Sequence, residues 1–63
     1  MSHNSDNAVQ SLRNASSDLH CAILDIKDAL NQTHAANRKQ FIISAKGYLG
    51  QALIQLTYAE VAK

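Results

Sequence analysis

At 63 residues the chain holds one domain at most, near the size at which a single core struggles to stabilise itself. Six basic and five acidic residues leave a formal net charge of +1, so global charge nominates neither a nucleic acid nor an acidic partner. A lone cysteine excludes an internal disulfide, and with three histidines it falls into no zinc-ligand spacing, which leaves oligomerisation as the expected support.

The opening Met1-Ser-His-Asn-Ser-Asp6 lacks the basic and apolar regions of a secretory signal, and the single Cys21 suits a reducing compartment. A cytoplasmic protein is therefore expected. The sequons at Asn14 and Asn31 have no meaning without secretion. Ser5 is the expected N-cap of a first helix, with Asp6 in its first turn near the positive end of the dipole.

From there Val9, Leu12, Ser16, Leu19, Ile23, Ile26 and Leu30 recur at alternating spacings of three and four, a heptad seam. The column beside it reads Ala8, Ala15, Ala22 and Ala29, small enough to let a neighbouring helix approach closely. These features predict helix 1 over about residues 5–32. Asn31-Gln-Thr-His-Ala-Ala-Asn37 then breaks the period, and a turn is predicted at 33–37. Asn37 with Gln40 has the spacing of a capping box, which starts helix 2 at about 38 and carries it to 62.

Helix 2 has two interleaved seams. The first is Ile42, Ala45, Leu49, Ala52, Leu56 and Ala59; the second is Ile43, Gly47, Gly50, Ile54, Thr57 and Val61. One seam needs one partner, so two seams need two. A short connection between helices of similar length predicts an antiparallel hairpin, an all-α fold comprising the whole chain. In this reading the Leu/Ile seam of helix 1 faces the Ile/Ala/Leu seam of helix 2. The seam through Ile43, Gly47, Gly50, Ile54, Thr57 and Val61 is left for a second copy, giving a homodimeric four-helix bundle. Gly costs about 1 kcal/mol relative to Ala inside a helix, so Gly47 and Gly50 read as a close-approach notch. The stretch from Phe41 to Ala62 is long enough to span a bilayer, but Lys46, Gln51, Gln55 and Glu60 argue against that.

No catalytic constellation, cofactor motif or metal site is visible, so an enzyme is not expected. Cys21 lies among Asp18, Asp25 and Asp28, neighbours that disfavour a thiolate. Arg13, His20 and Lys27 form one column of helix 1 with no acidic residue three or four positions away, while Asp18, Asp25 and Asp28 occupy the other flank. His34, Arg38 and Lys39 add positive charge near the turn. The alternative functional reading is an RNA- or DNA-facing edge built from Arg13, His20, Lys27, Arg38 and Lys39. Against it, no aromatic lies on that edge: Phe41 and Tyr48 border the first seam of helix 2, and Tyr58 lies outside both seams.

The hairpin plan resembles Rop-type plasmid copy-number regulators, which are antiparallel dimers of helical hairpins that bind paired RNA loops; the Gly47/Gly50 notch departs from their packing. The chain as a whole, with its opening Ser2-His-Asn-Ser-Asp-Asn-Ala-Val-Gln-Ser-Leu-Arg13, looks like the small early proteins encoded between the exonuclease and excisionase genes of lambdoid bacteriophages. That resemblance implies a non-enzymatic protein that contacts host or phage developmental machinery and favours lytic growth.

Overall fold

The structure, a computed structural model, describes residues 3–62, with side chains from Asp6 onward. It contains two helices, α1 (His3–Leu30) and α2 (Ala35–Val61), in extensive contact with each other. The molecule measures 51 × 13 × 9 Å between Cα extremes. A helix of 28 residues is about 42 Å long, so the two lie side by side. The connection between them is residues 31–34, which makes them antiparallel. The all-α helical hairpin expected from the sequence is the fold observed.

The helix ends differ from the expected ones. Asn31 N–H is shared between the carbonyls of Lys27 (3.3 Å) and Asp28 (3.2 Å), and Gln32 N–H donates to Ala29 O (3.2 Å). The last turn of α1 thus tightens to three-residue spacing and the helix stops at Leu30, not near 32. Helix α2 starts three residues earlier than expected. His34 is its N-cap, with φ −94° and ψ 129°, and the His34 carbonyl accepts the first helical bond from Arg38 N–H at 3.0 Å. Asn37 and Gln40 lie inside α2, so the capping box is not formed. Ser5 lies inside α1 and is not its N-cap. The first four residues, polar enough to expect a frayed start, divide: Met1 and Ser2 lie outside the described residues, whereas His3 and Asn4 are helical.

The packing overturns the expected pairing of seams. Among the described residues every buried one is an alanine: Ala15, Ala22 and Ala29 on α1, Ala45 and Ala52 on α2. On α1 the residues that lose most exposure are Ala8, Ser11, Ala15, Asp18, Ala22, Asp25 and Ala29, a heptad repeat that Gln32 continues past the helix end, together with Cys21 beside it. On α2 the matching repeat is Phe41, Ala45, Ala52, Gln55 and Ala59, with Tyr48 at its edge and the C-cap Ala62 continuing it. The Leu/Ile seam of α1, expected to close the hairpin, remains exposed: Leu19 at 38 %, Ile23 at 50 % and Leu30 at 80 %.

The physical reason is size. A methyl side chain lets two helix axes approach to the short end of the packing range. The 13 Å width, less a Cα cylinder about 4.6 Å across, puts the axes about 8 Å apart. At that distance the larger residues one position along each helix are turned roughly 100° away from the contact and cannot enter it.

Candidate functional site

The rotation that excludes the large residues also collects them. In an antiparallel pair, a step of one residue turns both helices toward the same side of the hairpin. Val9, Leu12, Leu19, Ile23, Ile26 and Leu30 of α1 therefore share a face with Ile42, Leu49, Leu53 and Leu56 of α2. All ten are exposed. Two hollows run along this face between the helices. One, of about 530 Å³, has Ala29 and Ala45 in its floor and Ile26, Leu30, Ile42 and Leu49 on its walls, with Arg38 and Lys46 also lining it. The other, of about 380 Å³, is lined by Leu12, Ala15, Ser16, Leu19, His20, Ile23 and Leu56. Together they form a long groove with an alanine floor and branched aliphatic walls.

The opposite face is more polar, although Leu24 and Ile54, one residue before Asp25 and Gln55, bring exposed aliphatics toward it. Asn7, Asn14 and Asp28 of α1 and Ser44, Gln51 and Tyr58 of α2 lie there, all exposed, with Cys21 half-buried among them. A smaller hollow of about 290 Å³ lies beside Ser44, Gly47, Tyr48 and Gln51. The hairpin is thus amphipathic as a unit, although neither helix buries its large aliphatics within the chain.

Arg13, His20 and Lys27 are all exposed along the outer edge of α1, bordering the apolar face, as the heptad column placed them. Among the described residues, no side-chain hydrogen bond joins a lysine or arginine to a carboxylate. The two other cations of the expected edge are placed differently. Arg38 Nη2 donates to Gln32 O at 3.3 Å, across the hairpin connection. The cation is disfavoured at the N-terminus of its own helix, but it meets the carbonyl end of its antiparallel neighbour, where positive charge is stabilised. Lys39 is exposed one residue further on.

The acidic flank is partly internal. Asp18 and Asp25 are half-buried in the alanine repeat and only Asp28 is exposed. One carboxylate oxygen of Asp25, Oδ2, is buried and has no hydrogen-bond partner. Among the described residues no group of His, Cys, Asp and Glu is arranged to hold a metal ion, and no helix is long and apolar enough to cross a membrane.

The seam through Ile43, Gly47, Gly50, Ile54, Thr57 and Val61 lies on the outer flank of α2, turned about 180° from the alanine contact, and all six are exposed. A Cβ built on Gly47 or Gly50 would meet nothing within 4 Å, so neither glycine serves a close approach inside the chain. Thr57 Oγ1 donates to Leu53 O at 2.9 Å, which satisfies that hydroxyl within its own helix. Sequence reasoning placed Ala45, Ala52 and Ala59 in the intrachain seam, where the structure has them, but grouped them with Ile42, Leu49 and Leu56 and missed the alanine column of α1 as their partner. No family model, curated protein or solved structure matches the chain.

Proposed function

We propose that this chain is a small, non-enzymatic interaction protein that works as a homodimer of helical hairpins through protein–protein contacts. The observation that carries the reading is the distribution of apolar bulk. Ten Leu, Ile and Val side chains line one face of a hairpin whose own contact uses alanine. Such a face is large for a surface left in water, and association with protein is the usual reason for one. The resemblance to early proteins of lambdoid phages supplies the setting: cytoplasmic action on host or phage developmental machinery, favouring lytic growth. Affinity capture from bacterial lysate, with and without nuclease, tests it. A specific protein retained after nuclease treatment is the expected result; capture abolished by nuclease would replace this reading.

A second reading has one observation in its favour. Arg13, His20 and Lys27 form an exposed column without carboxylate partners, suited to a phosphate backbone. It predicts RNA or DNA binding that weakens steeply with salt and falls in the Arg13→Ala/Lys27→Ala double variant, as read by gel shift. Arg38, held at the Gln32 carbonyl, contributes less to such an edge than the sequence suggested.

A further inference from the structure

We infer that the alanine-floored groove is where a second copy of this chain docks, and that the glycine-bearing flank of α2 stays on the outside of the dimer. The inference rests on reading the chain as self-associating, and adds which surface does it.

Area gives the first argument. A compact protein of 6.9 kDa exposes about 4000 Å². This hairpin exposes 4847 Å². The excess reflects the elongated 51 × 13 × 9 Å shape, which leaves the large aliphatics at the surface. Among the described residues, ten exposed aliphatics drawn from both helices share the face that joins Leu12, Leu19 and Ile23 to Ile42, Leu49 and Leu56. The α2 flank is narrower: one helix wide, interrupted by Gly47 and Gly50, with the Thr57 hydroxyl already bonded in its helix.

Shape gives the second. The groove is concave along its length, with branched walls about a floor of methyl groups, so a copy turned through a two-fold axis can set its own walls into it. Each aliphatic row then meets another row of the same kind, the self-complementarity an isologous contact requires. The four helices would form two layers: alanine contacts within each hairpin, Leu/Ile contacts between hairpins.

Charge constrains the docking. Among the residues lining the two hollows, Arg38 and Lys46 both line the hollow nearer the connection, and the rest of the lining is apolar apart from Ser16 and His20. No carboxylate lines either hollow to pair with those cations, so a seated copy must leave Arg38 and Lys46 at the wet rim.

The test compares substitutions on the two candidate surfaces, with molar mass measured by sedimentation equilibrium. Leu19→Lys and Leu49→Lys should each weaken self-association roughly 100-fold, while Ile54→Lys leaves it unchanged. Because the wild-type side chains are exposed within the hairpin, helicity by circular dichroism at high concentration should survive in all three. A measurement that needs no variant runs alongside: isotope-filtered NOEs in a mixed labelled and unlabelled sample. Intermolecular contacts at the Leu19 and Leu49 methyls support the inference. Contacts at Ile43, Ile54 and Val61 overturn it while leaving self-association standing. A wild type that stays monomeric at millimolar concentration overturns both, and one that instead pellets with anionic phospholipid vesicles assigns the face to a membrane surface.

Discussion

Ala22 and Ala52 are each 1 % exposed, so the methyl group is the largest side chain either position accepts. Ala22→Leu should force the helices apart and cost about 1–3 kcal/mol, measured by urea denaturation. Gly47 and Gly50 behave oppositely. With open space where a Cβ would stand, Gly47→Ala and Gly50→Ala should each raise stability by about 0.5–1 kcal/mol in thermal melts. A loss on either substitution would mean that another chain occupies the notch. These glycines looked purposeful in the sequence because a helix interior penalises them. Their surroundings within the hairpin give no such purpose.

At the scale of the helix, the N-cap of α2 is the weak terminus. His34 has the extended backbone of a cap but its side chain makes no capping bond. His34→Asp should therefore stabilise α2 by about 1 kcal/mol, through an oxygen acceptor and a favourable interaction with the dipole. Arg38→Ala should cost about 0.5 kcal/mol by removing the exposed bond to the Gln32 carbonyl, with the effect shrinking in high salt. Both are read from denaturation midpoints. Helix type and number were legible in the sequence because three heptads without proline admit little else. The termini were not, because Asn37 and Gln40 match a capping pattern that the chain bypasses by starting α2 one turn earlier at Ala35. The basic column of Arg13, His20 and Lys27 was legible too, since exposure on a helix follows from periodicity alone.

For the whole molecule, the sequence assigned the intrachain contact to the right alanines of α2, Ala45, Ala52 and Ala59, but to the wrong row of α1. Hydrophobicity ranks Leu and Ile above Ala, so the Leu/Ile seam was matched to the intrachain contact. Packing ranks by fit: Ala15, Ala22 and Ala29 opposite Ala45 and Ala52 allow the closest approach, and the bulkier rows are displaced to one side. No single-helix pattern shows that displacement, because it depends on both helices turning together. Only with the hairpin closed do the rows of α1 and α2 become one surface.

The alanine core carries a consequence for when this protein acts. Each buried methyl supplies only about 0.8 kcal/mol, little against the entropy of ordering about 55 helical residues, so the single hairpin is a marginal fold that gains from any partner covering its aliphatic face. If the hairpin self-associates as proposed, folding is coupled to encounter, and the melting temperature should climb with protein concentration, in a dilution series followed by circular dichroism. In a cell the same coupling would act as a timer. Newly made chains would be open to proteases while scarce and become long-lived once synthesis brings them together. Abundance, set by the rate of expression, would decide whether the protein exists in its working form at all.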